Sequence, residues 1–425
     1  MQRTRTLALL ATAELLAMSL WFTGTAVLPE LARRWNAGLG LASWLTTAVQ
    51  IGFVAGALFS AAFNLADVFR PSRVLVICAL AGAGANAAFA AVAEDNIALA
   101  LSLRFLTGAF LAGVYPTGMK LLAGWYREGR GLAMGVLIGA LTVGSALPHG
   151  ALALGGLMTS RTGDWRLPVL AASGLAVVAA AIVAVGVHDG PYAAPSPSFD
   201  PGQIGEAFRN RRLRLANFGY LGHMWELYSM WGWVAVMLAA ASSAGVRNQA
   251  IAFVAIAIGT LGCVWAGVVS DRVRATSANE GVRATQVAQR SRVTIWAMAV
   301  SGACCIAVAL LFDHFWLVVL ISLVWGIAVI ADSAQFSTII SEVADPRYVG
   351  TALTMQVAMG FLLTAVSLRV VAFIAAHWGW RWATASLAIG PALGIWAMVA
   401  LMRAEREPQG RGGAQEEILI ADPRG

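Results

Sequence analysis

A series of apolar runs, separated by short charged segments, constrains this chain more than any other feature. Each run is roughly 20 residues long, the length a helix needs to cross a ~30 Å hydrocarbon core. One soluble core cannot bury so many of them. A bilayer can, provided each run closes its own backbone hydrogen bonds as a helix. The runs are continuous, not alternating, which excludes a membrane β-barrel. Only 12% of the 425 residues are charged, about half the share of a soluble domain. We therefore expect an all-α polytopic membrane protein with about 12 transmembrane helices in two pseudo-symmetric six-helix bundles.

The first six spans are read at Leu7–Leu28, Ala42–Leu65, Val74–Ala93, Ile97–Leu122, Leu132–Met158 and Leu167–Val187. The other six are Leu215–Ala241, Ala250–Val269, Val293–Phe312, Leu317–Ile340, Thr351–Ala376 and Ala383–Met402. Between the sixth and seventh lies a polar stretch with Pro191, Pro195, Pro197 and Pro201, then the basic run Arg209 to Arg214. Such a composition marks a linker. The expected organisation is an N-terminal bundle over 1–190, a linker over 191–214, a C-terminal bundle over 215–402 and a disordered tail over 403–425.

Arginine placement orients the chain. With the first residues inside, the segments on that side hold 20 Lys or Arg and those on the other side hold 6. The positive-inside bias then puts both termini and the linker in the cytoplasm, with a bacterial inner membrane as the expected location. The same reading disposes of the net charge of +7 as a sign of nucleic acid, because the arginines serve topology. Cys78, Cys263, Cys304 and Cys305 all fall inside apolar runs, so neither a metal site nor a disulfide framework is expected. The first run is too long for a signal-peptide core and carries Glu14. No cofactor is expected.

The halves echo each other. Ala13 to Trp21 and Trp225 to Trp233 share Glu, Leu, Met and Trp in register, pairing Glu14 with Glu226 and Trp21 with Trp233. Asp67 after span 2 answers Asp271 after span 8, and Trp165-Arg166 answers Trp380-Arg381. Parallel repeats of this kind place a solute path between the halves, near the midplane.

With these residues in hand, the chain resembles the major facilitator superfamily from Leu7 to Met402. The family's loop signature is recognisable as Gly267-Val-Val-Ser-Asp271-Arg272, with Arg274 where glycine is usual. After span 2 it survives only as Asp67 and Arg73. Arg104-Phe-Leu-Thr-Gly108 resembles the family's membrane-embedded arginine motif. Span 5 is glycine-rich as in the family, yet lacks the Gly-Pro pair that typifies drug-proton antiporters. The resemblance implies a secondary transporter working by alternating access. Asp67, Arg73, Asp271 and Arg272 are expected to form a cytoplasmic gate. An acid at a helix end can accept hydrogen bonds from a neighbouring helix's N-terminal amides, where the dipole favours negative charge.

Glu14, Glu226 and Asp332 lie well inside spans, where charge costs at least ~2.5 kcal/mol unless it faces protein or water. For Glu14, an ion pair with Arg104 competes with a role toward substrate or proton. Glu226 and Asp332 share their bundle with no central lysine or arginine, and His223 sits one turn from Glu226. That setting suits reversible proton binding. Trp21 and Trp233 follow Glu14 and Glu226 by two turns on the same face. Tyr228, Tyr115, Gln335 and Gln356 complete the candidate pathway as deep polar or aromatic positions. The stripes Gly52, Gly56, Ser60 and Gly135, Gly139 predict close helix packing that permits sliding.

The expected activity is transport of a small organic solute or anion, coupled to protons, by a monomer in a lipid bilayer. A multidrug or metabolite exporter is the alternative within this class. Outside it stands a membrane sensor or assembly protein on a transporter fold, which has no need of deep acids. An enzyme is not expected, since no HExxH motif or nucleophile elbow occurs.

Overall fold

The computed structural model describes residues 2–126, 128–158, 164–193, 200, 202, 205–242, 245–275, 283–345 and 348–406. Much of the expected linker, including Pro195, Pro197 and Pro201, and the tail beyond Arg406 lie outside the described residues. All regular structure among them is helical. Helix ends follow local chemistry. Asn96 caps the fourth span by accepting from Leu99 N at 2.9 Å. Asn210 caps the seventh by accepting from Arg212 and Leu213, as N-cap side chains do. Gly379, at φ +85°, turns the chain between Val349–Trp378 and Trp380–Leu387, a conformation that costs glycine little.

Ten helical stretches among the described residues are long and apolar enough to cross a membrane, by length and composition. The two remaining expected spans are the first and the seventh, and the reason is physical. The first breaks: helix Gln2–Met18 ends in a turn before Thr23–Ala26. The seventh, Arg211–Ala241, is one unbroken helix whose His223, Glu226 and Asn217 lower its hydropathy. Both are enclosed by other helices. The first packs against spans 4, 5 and 6, and the seventh against spans 8, 10, 11 and 12. Positions that face protein, not lipid, tolerate polar side chains.

The repeat read from sequence has a structural counterpart. Arg166 pairs with Glu94 at 3.1 Å, and Arg381 pairs with Asp313. Each acid sits between the third and fourth spans of its own half. The halves meet where span 5 packs on span 8 and where span 2 packs on span 11. We call the side bearing Gln2, Asp189, Arg211 and Arg406 the linker face, and its reverse the opposite face.

The glycine stripes divide into two kinds of contact. A Cβ on Gly52 would overlap the Phe105 carbonyl, so that stripe locks span 2 onto span 4 inside one half. A Cβ on Gly135 would fall 2.5 Å from the Cys263 carbonyl, so this stripe holds span 5 close to span 8 across the halves. The sliding expected of both stripes has a surface to act on only at the second.

Candidate functional site

Between the halves, a cavity of about 830 Å³ opens toward the linker face, lined by Lys120, Arg130, Asp189, Asp271, Arg290 and Glu342 among others. A second, of about 410 Å³, runs deeper. The two share Tyr115, Met119, Lys120, Ser333 and Ser337, so they form one continuous space. The deep part is walled by Tyr220, Met224, Leu227, Tyr228, Val357 and Phe361. It ends under an aromatic seal. Phe53 lies 4.4 Å from Phe361 by ring centroid, and Trp21 lies 5.5 Å from Phe361 and 5.7 Å from Tyr228. Phe22 packs on Tyr228 and Trp231. Rings from both halves interdigitate here, which buries large apolar area and excludes water.

Polar contacts join the halves on each side of that seal. Toward the opposite face, Arg369 on span 11 donates to Gly40 O at 2.7 Å and stacks over the Trp44 ring at 4.4 Å. His149 on span 5 meets Gln249 on span 8 at 2.6 Å. Toward the linker face, Asp271 Oδ1 accepts from Gly131 N and Oδ2 from Leu132 N, both at 2.8 Å. These amides open helix Arg130–Met158, where unsatisfied N–H groups and the dipole favour an anion. The Asp67 side chain lies outside the described residues, and Arg73 and Arg272 are exposed at the same face.

The C-terminal half holds two buried acids in different settings. Glu226 accepts from Ser301 Oγ at 2.9 Å, Cys305 Sγ at 3.1 Å and Trp325 Nε1 at 2.5 Å. Asp332 stands at the junction of helices Phe315–Ala331 and Ser333–Val343. Its Oδ1 lies 2.9 Å from His223 Nδ1. That contact is within ion-pair range but off the line of a hydrogen bond, so neither carboxylate oxygen has a hydrogen-bond donor. The other ring nitrogen, His223 Nε2, meets Ser333 Oγ at 2.8 Å. Ser333 lines the cavity. Ser333, His223 and Asp332 therefore lie in succession from the cavity wall inward, hydrogen-bonded at the first step and within ion-pair distance at the second.

The Major Facilitator Superfamily model matches residues 9–279. The chain belongs to this superfamily. Membership makes it an integral membrane protein of a transporter family. Comparison with curated protein sequences found no match. Among solved structures, a point mutant of the nucleoside transporter NupG superposes with a TM-score of 0.68 at 14% identity. The alignment covers 94% of this chain and all of that one. At that identity the likeness is one of fold.

Within the superfamily fold the expected site residues separate. Tyr115 and Tyr228 line the cavity, and Trp21 forms its seal. The Glu14–Arg104 ion pair is not made. Arg104 is fully buried and donates to Leu20 O at 3.1 Å, Trp21 O at 2.5 Å, Thr23 Oγ1 at 2.9 Å and Asn86 Oδ1 at 2.9 Å. The carbonyls freed by the break in span 1 need donors, and a guanidinium has five. Glu14 instead lies against Gly118, its Oε1 without a hydrogen-bond partner. His223 faces Asp332, not Glu226. Trp233 donates to Leu368 O and packs on Trp380 inside one half, away from the cavity. Gln335 is held by Arg290 at 3.1 Å and by Ala266 O, so it braces spans 8, 9 and 10. Gln356 is buried, with its amide nitrogen 3.5 Å from Phe336 O. Arg369 joins the halves.

Sequence reading misses Asn86, Ser301, Cys305, Trp325, Ser333 and Arg290. Ser301 and Cys305 are four residues apart on one helix face, which is a usable signal. Arg290 reads as a loop charge because it sits among other arginines, but helix Arg283–Leu310 carries it into the protein. There it binds Glu342 and Ser270.

Proposed function

We propose that this protein carries a small amphipathic organic solute or organic anion across the membrane by alternating access, driven by protons. The observation that carries the reading is the cavity between the halves. It opens at the linker face, ends under rings from both halves, and has Ser333 in its wall. Tyrosine rings and aliphatic side chains suit an apolar portion of the solute, and Lys120 with the serine hydroxyls suits a polar or anionic one. We take the linker face as cytoplasmic, with both termini inside, so the described conformation faces inward. Asp271, bonded to the span 5 amides in this conformation, is the gate residue on that side, and its contact changes as the halves rock.

We assign the coupling proton to Asp332 and His223, which connect to the cavity through Ser333. Glu226, surrounded by three donors and absent from the cavity wall, is then a fixed structural acid. The deep cavity's apolar wall also favours a second reading, an exporter of amphipathic compounds, which differs only in direction and breadth of substrate.

A thermal-shift screen in detergent would find a solute, since a ligand at 100 times its Kd stabilises by about 2.7 kcal/mol. With that solute in proteoliposomes, Asp332→Asn is expected to lose accumulation driven by an imposed pH gradient yet keep exchange of internal for external solute. Full accumulation by Asp332→Asn, with loss in Glu226→Gln, would move the proton site to Glu226. Binding without flux would make the protein a sensor.

A further inference from the structure

At the linker face, spans 9 and 12 enclose a small cleft of about 220 Å³ that lies outside the solute pathway. It is lined by Arg292, Ile295 and Trp296 from one helix and by Val399, Met402, Arg403 and Arg406 from the other. The spacings are those of single helix faces, i to i+3 and i+4 on span 9 and i to i+3, i+4 and i+7 on span 12. The two faces are turned toward each other.

We propose that this cleft binds the headgroup of an anionic phospholipid from the leaflet on the linker face. Three arginines line it, and none has an acidic partner among the described residues. Glu405, the nearest acid in sequence, is engaged by Arg212 at 3.2 Å. Three unpaired cations around one small volume repel each other, and an anion removes that cost. Guanidinium forks bind phosphate oxygens in pairs. The lower wall identifies the rest of the ligand. Ile295, Val399 and Met402 are apolar, and the Trp296 side chain is 71% exposed one turn from Arg292. Further along the same two helices Val300, Leu393 and Trp396 are exposed as well. An indole at this level marks the bilayer interface, so the cleft opens from headgroup depth onto an acyl-chain surface. A free phosphate uses only the arginines. A phospholipid uses both walls, and basic pockets between spans are a known kind of headgroup site.

The test is native mass spectrometry of the full chain, released from detergent with phosphatidylglycerol or phosphatidylcholine added at equal concentration. Wild-type protein is expected to retain phosphatidylglycerol selectively. Arg292→Gln/Arg403→Gln/Arg406→Gln is expected to bind it about a hundred-fold less tightly, at ~1 kcal/mol per arginine. Elution volume and thermal midpoint report whether that variant is folded. Should it not be, Arg403→Gln alone is expected to weaken binding about five-fold. Equal retention of both lipids by the wild type, or undiminished retention by a folded variant, would overturn the proposal. So would displacement of the lipid by millimolar inorganic phosphate, which would make the cleft a phosphate site.

Discussion

Arg104 shows how a charge inside the bilayer is stabilised without a countercharge. Its four acceptors are two main-chain carbonyls at the break in span 1, a threonine hydroxyl and an asparagine carbonyl. Asn86 is itself tied to Val169 O and Ser173, so the network joins spans 1, 3, 4 and 6. Arg104→Gln strands several buried acceptors, each worth about 1–3 kcal/mol. A clear fall in thermal midpoint in detergent is expected. Glu14→Gln, by contrast, leaves Arg104's four hydrogen bonds in place, and its midpoint is expected within about 1 kcal/mol of wild type. Equal destabilisation by the two substitutions would restore the ion pair. The sequence places Glu14 and Arg104 in one bundle but carries no sign that span 1 breaks at Ser19 to Phe22. A guanidinium reads as a partner for acid until the carbonyls that need it are visible. Glu226 and Asp332 are legible as unusual for the same reason that Arg104 is, the cost of charge at depth. Which one has access to the cavity depends on the position of Ser333, which no spacing rule supplies.

At the level of elements, the junction of spans 5 and 8 does the most to couple the halves. Glycines let the backbones approach, and Asp271 closes the end of the contact. Asp271→Asn keeps one acceptor but turns an amide donor toward an N–H group and removes the charge–dipole attraction. The expected loss is on the order of 1–2 kcal/mol in the conformation that makes the contact, a roughly ten-fold shift away from the linker-face-open state described. Slower alkylation of a cysteine placed at Arg272 would report it; an unchanged rate with transport retained would leave Asp271 a boundary residue. The motif around Asp271 is readable because its mechanism is local, an acid at a helix end. Gly135 is readable as a packing glycine, but not as one facing the other half. A four-residue repeat names a helix face and not its neighbour.

For the whole molecule, length, apolar runs and the internal repeat are sufficient to anticipate the helical fold, because each span is specified by its own residues. The depth of the cavity, the aromatic seal and the sides joined by Arg369 and Asp271 depend on how two bundles meet, and no run encodes that. Orientation is testable at this scale. A reporter that fluoresces only in the cytoplasm is expected to be bright when fused after Gly425 and dark when inserted near Asp95. A bright signal at Asp95 would reverse the orientation or change the span count.

Two of the charged contacts between the halves share an asymmetry with a genetic consequence. Asp271 and Arg369 both belong to the C-terminal half, while their partners, Gly131 N, Leu132 N and Gly40 O, are main-chain atoms of the N-terminal half. Main-chain atoms survive nearly every substitution. Single changes that disable either latch should therefore map mostly to one half of the gene, the exceptions on the other side being Leu132→Pro, which deletes the amide, and substitutions at Gly131, whose added Cβ would fall 2.7 Å from Asp271 Oδ1. Under selection, the balance between inward and outward states can be retuned by one half while the other keeps its sequence.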